Sequence, residues 1–272
     1  MKKSIFFWIL ALLITIGSSI FQRFTGPTYP VSGKADIEGI KIEYNFPRSA
    51  STSKDCLISF RINSSEINNL SAFLEWKRFK LNEEWKIQEM IYDNGYFTSS
   101  LPSQPAAGKL EYWVKINSGD KVYTIPDENV VIRFKDDVPS YALIPHIVFI
   151  FLAMFFSTRA GLEYFNQKDY KKFLYPTLIF LILGGLIFGP IVQKFAFGAY
   201  WTGIPFGYDL TDNKTLIAFV FWLLPLIYRN KPETFSKLVV TAAIITLIVF
   251  LIPHSLFGSE LDYTTNRKIN EF

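Results

Sequence analysis

With 272 residues and 28 Lys+Arg against 24 Asp+Glu, the chain has a net charge of only +4. That excludes the dense basic field of a nucleic-acid binder, and no nucleic-acid partner is expected. Half the residues are hydrophobic and they are bunched, which points to an integral membrane protein with the lipid bilayer as its solvent. The single Cys56 excludes an internal disulfide.

Met1-Lys2-Lys3 is followed by an apolar run from Ile5 to Ile20. A cleaved signal peptide is one reading. However, Gly17-Ser18-Ser19 gives no A-x-A-like site, and the run is long and ends in Arg23. Residues 1–22 are therefore expected to be an uncleaved transmembrane signal-anchor.

Residues 23–138 change to short alternating runs broken by turn residues. KIEYNF, CLISFRI, SAFLEWKRF, EWKIQEMIY, GYFTSSL, KLEYWVKI, KVYTIP and NVVIRF read as strands. The breaks DNG, NSGD and PSQPAAG carry turn chemistry. An extracytoplasmic all-β sandwich is expected. In KLEYWVKI, Leu110, Tyr112, Val114 and Ile116 share one face, with Lys109, Glu111, Trp113 and Lys115 on the other. Trp76, Trp85 and Trp113 read as sheet-face packing rather than as a ligand platform. The segment has no histidine, nucleophile motif or glycine-rich phosphate loop. SLPSQPAAGKLEYWVKI resembles a segment of fibronectin type III and other immunoglobulin-like domains of bacterial surface proteins. The resemblance implies a fold and a binding or spacing role, with no active site.

Residues 139–272 hold four further apolar runs, at about 138–157, 173–192, 216–228 and 238–253. A span needs about 20 residues. The last two runs reach that length if their helices begin near Thr211–Asp212 and Pro232–Glu233, where a cap and a first-turn proline stand. A four-span transmembrane bundle is expected. Lys2 and Lys3, then Arg159, Lys168, Lys171 and Lys172, then Arg229, Lys231 and Lys237 mark the cytoplasmic side. The expected setting is the inner (cytoplasmic) membrane, with the N-terminus cytoplasmic and residues 23–138 and the C-terminus extracytoplasmic.

The only two histidines, His146 and His254, each close the motif Leu-Ile-Pro-His. This topology puts both at the outer membrane surface, at comparable depth. Pro253 should end the last span at Ile252. Pro145 either kinks the second span or begins its regular part, leaving His146 near a helix start and neutral. Between them lies the aromatic outer loop 193–214, with Tyr200 and Trp201, then Asp209 and Asp212. The outer tail adds Glu260 and Asp262. Carboxylates beside imidazoles suit a metal site or its orienting partners. The plain alternatives are an interfacial aromatic belt, a helix cap at Asp209, Thr211 and Asp212, and a snorkelling Lys214.

FAFGAYWTGIPFGYDLTDNKTLIAFVFWL resembles in layout the tryptophan-rich outer loop of haem-handling proteins in cytochrome c maturation. In that family, histidines on flanking outer segments ligate haem. Here His146 and His254 flank the loop, and Tyr200 and Trp201 stand within it. One tryptophan replaces several, and TGIPFG stands where W-D-P follows in the family. The expected function is a haem- or divalent-metal-binding site on His146 and His254, with Tyr200 and Trp201 as further cofactor-binding residues and Asp209, Asp212, Glu260 and Asp262 as further metal ligands. The alternative is a non-catalytic accessory or assembly subunit whose sandwich binds a protein partner. A transporter is disfavoured because no charged residue is expected mid-membrane.

Overall fold

A computed structural model describes residues 2–63, 70–166, 169–254, 256, 258–265 and 267–269. Lys168, counted above among the cytoplasmic charges, lies outside them. The chain divides into two compact units, one of Met1–Pro27 and Val138–Ser259, the other of Thr28–Asp137 and Glu260–Ile269.

The second unit is a sandwich of two five-stranded sheets. One has the order β1 (Val31–Ile37), β2 (Ile40–Phe46), β4 (Cys56–Ile62), β8 (Tyr96–Leu101), β7 (Ile91–Asp93). The other has the order β3 (Ser49–Ser51), β10 (Lys121–Lys135), β9 (Lys109–Ser118), β5 (Leu70–Arg78), β6 (Lys86–Glu89). All pairings are antiparallel except β3 with β10. Leu110, Tyr112, Val114 and Ile116 on β9 are all fully buried, as their alternation required.

Several strands differ from the sequence expectation. KVYTIP and NVVIRF are one strand, whose pairing with β9 is interrupted between Ile125 and Val130; Pro126 has no N–H to give to the ladder. EWKIQEMIY is two strands in different sheets, and the chain crosses at buried Met90. Strand β1 was missed, although Glu38-Gly39 makes its tight hairpin to β2. Both residues have positive φ, 53° and 86°, as a type I′ turn demands. Trp76 is buried, and Trp85 stacks on Trp113 at 4.4 Å, in keeping with sheet packing.

The tail adds a hairpin, β11 (Glu260–Asp262) with β12 (Arg267–Ile269). It is strapped to the sandwich by Leu261 N–H to the Ala107 carbonyl and by Tyr263 Oη to the Lys109 carbonyl, 3.1 and 3.0 Å.

Among the described residues, the first unit contains five helices long and apolar enough to cross a membrane. They are α1 (Lys2–Phe24), α2 (Ser140–Leu162), a continuous helical rod, α5 (Leu210–Ile227) and α6 (Pro232–Leu251). The rod comprises α3 (Lys171–Leu181), a π-helical turn at Ile182–Phe188, and α4 (Gly189–Phe197). The two short apolar runs gain their length as expected, from Asp209 capping α5 and Pro232 opening α6. Helix α2 begins at Ser140, so Pro145 lies inside it and His146 sits in its second turn. Helices α5 and α6 are antiparallel: Trp222 Nε1 donates to Thr246 Oγ1 at 2.9 Å, and Lys214 meets residues Ile252 and Pro253.

Candidate functional site

The second LIPH motif ends a helix. The residue before a proline is pushed out of helical angles, and Ile252 has φ −70° and ψ 124°. The last carbonyls of α6 are thus left without intrahelical donors. Two side chains answer them. Lys214 Nζ donates to the Ile252 carbonyl at 2.7 Å and is 3.4 Å from that of Pro253. Gln22 Nε2 donates to the carbonyls of Phe250 and Ile252 at 2.6 and 3.0 Å. Lys214 is 5% exposed. It does not snorkel; it is a cationic cap on the negative end of a helix.

The first LIPH motif meets the π-helical turn. The π turn closes with the Gly189 N–H donating to the Gly184 carbonyl, whose oxygen can still accept a second donor. His146 Nδ1 lies 2.9 Å from the Gly184 carbonyl oxygen. A carbonyl only accepts, so Nδ1 carries the proton and Nε2 keeps the lone pair in the neutral ring. The approach needs glycine. A Cβ at residue 184 would lie 2.7 Å from Ile150 N and 3.0 Å from Phe149 C, both backbone atoms of α2.

The two motifs converge in one respect: His146 and Lys214 both lie within electrostatic reach of His254. His254 has an exposed side, yet the protein packed around its ring, and then the Lys214 charge, hold its pKa well below the ordinary histidine value. It is neutral at physiological pH, the form that ligates metals.

The carboxylates are committed elsewhere. Asp209 caps α5 by accepting from Thr211 N–H at 2.8 Å and holds Ser259 through its N–H and Oγ at 3.0 and 3.1 Å. Asp212 accepts from the N–H groups of Thr202 and Gly203 at 2.6 and 3.0 Å, pinning the preceding loop to the start of α5. Glu260 and Asp262, expected beside His254, belong to the sandwich unit. Glu260 pairs with Lys109 and Lys80 at 2.6 and 3.0 Å. Asp262 accepts from Thr264 and Thr265. Among the described residues, no group of three or more His, Cys, Asp or Glu is placed to hold a metal. Of the loop aromatics, Tyr200 is 59% exposed with Lys194 over its ring, and Trp201 Nε1 donates to the Ile204 carbonyl at 3.1 Å. Phe206 and Tyr208 are also exposed, in the manner of an interfacial belt.

A second polar centre was missed. Arg159, counted above as a loop charge, lies within α2 and is fully buried with Glu163, Nη1 to Oε2 being 2.7 Å. Both lie in the candidate span Ser140–Phe165, and Asp212 and Lys214 lie in that of Leu210–Ile227. These charges stand in the end turns of their spans and leave the expectation of no charged residue mid-membrane as it was. The i, i+4 spacing of Arg159 and Glu163 was the available sequence clue, as Gly184-Gly185 was for the π turn.

No protein-family model matches the chain, and no curated protein matches it. Among solved structures, the crystal structure of a Br derivative of BhCBM56 aligns with 39% of this chain and 92% of its own at 15% identity. The TM-score is 0.24, too low to carry an argument about fold or function.

Proposed function

We propose that this chain is an inner-membrane protein with an exported immunoglobulin-type sandwich, and that His146 and His254 ligate a haem at the extracytoplasmic ends of α2 and α6. The observation that carries the reading is the His146 Nδ1 hydrogen bond to the Gly184 carbonyl. It fixes ring orientation and tautomer as the outer partner of a ligating histidine does, leaving Nε2 to bind. The donor count favours haem over a divalent cation. With the four carboxylates committed, two imidazoles remain, whereas a protein zinc site takes three or four ligands. His146 and His254 would be the two protein ligands that hold a haem iron.

The Lys/Arg bias supports the orientation. Lys171 and Lys172 open α3, and Arg229 and Lys231 lie between α5 and α6. The strand orders support the immunoglobulin reading: β2-β4-β8-β7 corresponds to strands ABED, and β9 and β10 to F and G beside β5 as C. The test is a hemin titration of the full chain in detergent. A saturable Soret shift at one equivalent, abolished by either His146→Ala or His254→Ala, supports the reading. A spectrum unchanged from free hemin would remove it.

The accessory-subunit reading draws on the edge strands. Ile87 on β6 and Ile91 on β7 are 61% and 71% exposed on either side of buried Met90. Photo-crosslinking from both positions in native membranes would test it: one shared adduct supports a partner, and none removes it.

A further inference from the structure

Helix α1 turns one stripe towards its unit. Phe7, Trp8, Ala11, Thr15, Ser18 and Gln22 recur at helical spacing and are among the covered positions, whereas Phe6, Ile9, Leu13 and Ile20 are exposed. Three separate contacts fasten this stripe. In the middle, Ala11 and Thr15 are fully buried, their small side chains allowing close helix approach. At the far end, Gln22 caps the carbonyls that Pro253 frees from α6. At the near end, Phe7 and Trp8 stand 5.7 and 5.4 Å from the Arg159 guanidinium carbon, with Phe173 of α3 at 4.6 Å.

The third contact is the most demanding. Arg159 and Glu163 are both 0% exposed, and a charge pair opened to hydrocarbon on one side loses much of what offsets its desolvation. Among the described residues, Arg159 Nε and Nη2 have no hydrogen-bond partner, so the aromatic faces are the compensation the fold offers them. Trp8 is itself held among Phe155, Phe156 and Phe173 at 5.2–5.7 Å. Removing α1 would strip two rings from the guanidinium and leave the end of α6 short of a donor.

We propose that α1 is a permanent fifth helix of the membrane unit, docked by the aromatic cage on Arg159 and by the Gln22 clamp on α6, and is not released as a cleaved leader. The inference does not depend on what the histidines bind. Two measurements test it on the full chain, tagged at its C-terminus and purified from membranes. The intact mass should include the whole of α1; a mass lacking it overturns the proposal whatever the variants do. The second measurement is a cycle of melting temperatures in detergent. Trp8→Ala should lower the melting temperature of the unaltered chain, and lower it far less in an Arg159→Leu/Glu163→Leu background, where no charge needs the cage. Equal shifts in both backgrounds would mean that Trp8 only fills space, and the docking role assigned to the cage would fall.

Discussion

Lys214 Nζ donates to the carbonyl of Ile252, the residue whose extended backbone Pro253 imposes, at 2.7 Å. One helix therefore supplies the cap that the next cannot make for itself. Lys214→Met keeps the length of the side chain and removes the donor. A hydrogen bond to a charged group contributes about 1.5–3 kcal/mol, and the lost unfolding free energy in detergent should fall in that range. Arginine at 214 should recover part of it, since it can still donate. A Lys214→Met protein as stable as the unaltered chain would show that water or Gln22 alone satisfies the end of α6.

The His146 hydrogen bond makes a spectroscopic prediction. In the ligand-free protein at neutral pH, the nitrogen-15 spectrum of His146 should show a protonated Nδ1 and an unprotonated Nε2. The opposite tautomer would contradict the assigned bond to Gly184. Gly184→Ala tests the same contact by sterics, because the new Cβ would meet backbone of α2 that no side-chain rotation relieves. Overpacking of this kind costs about 1–3 kcal/mol, and the nitrogen-15 pattern of His146 should change with it.

The tail hairpin should be acid-labile. Burial alone would raise the Glu260 pKa, but its hydrogen bonds to Lys109 and Lys80 outweigh burial and hold it below the ordinary carboxylate value. Asp262 is lowered to about 2 by the Thr264 hydroxyl, the Thr264 N–H and Thr265. Groups depressed on folding stabilise the folded form above the unfolded pKa, about 3.9 for Asp, and lose that contribution as pH falls through the folded value. Amide protection across residues 260–265, corrected for intrinsic exchange, should thus decline between about pH 4 and pH 2. A decline on raising the pH from neutral instead would reverse the sign and refute the assignment.

A fragment of residues 28–137 should fold as a β-protein, because its core is its own. A peptide of residues 259–269 added to it should raise its melting temperature, and Tyr263→Phe in that peptide should reduce the gain by removing the hydroxyl that binds the Lys109 carbonyl. A fragment indifferent to the peptide would mean that the strap adds nothing to the sandwich.

Periodicity made the five apolar helices and most strands legible, since Leu110, Tyr112, Val114 and Ile116 announce a buried face by alternation alone. The proline in LIPH likewise announced the end of α6. What stayed hidden depends on pairing between distant segments. Nothing in Gly184 says that its carbonyl faces an imidazole, and Lys214 reads as a snorkelling cation until the stranded carbonyls of α6 are placed beside it. Arg159 sat so near the end of an apolar run that it counted as a loop charge, yet it pairs with Glu163 four residues on, and the rings over it are on α1 and α3. Glu260 and Asp262 were assigned by nearness in sequence to His254, and the chain turns into the other unit right after Ser259.

The proposed orientation is open to direct labelling. Cys56 is the single thiol and is partly accessible, so it is first replaced by serine. New cysteines are then placed singly at Tyr208, Asn230 and Thr264, all exposed. Tyr208 lies in the loop before α5, Asn230 between α5 and α6, and Thr264 in the tail hairpin. An odd number of spans separates Asn230 from each of the other two, so it must report the opposite side. With the lysine- and arginine-bearing turn inside, a membrane-impermeant maleimide should modify positions 208 and 264 in spheroplasts, and position 230 only after permeabilisation. Modification of 230 alone in spheroplasts would invert the protein, putting the sandwich and both histidines in the cytoplasm. Modification of 208 and 230 together would mean that α5 does not cross, and the shared end of the two LIPH motifs would be lost with it.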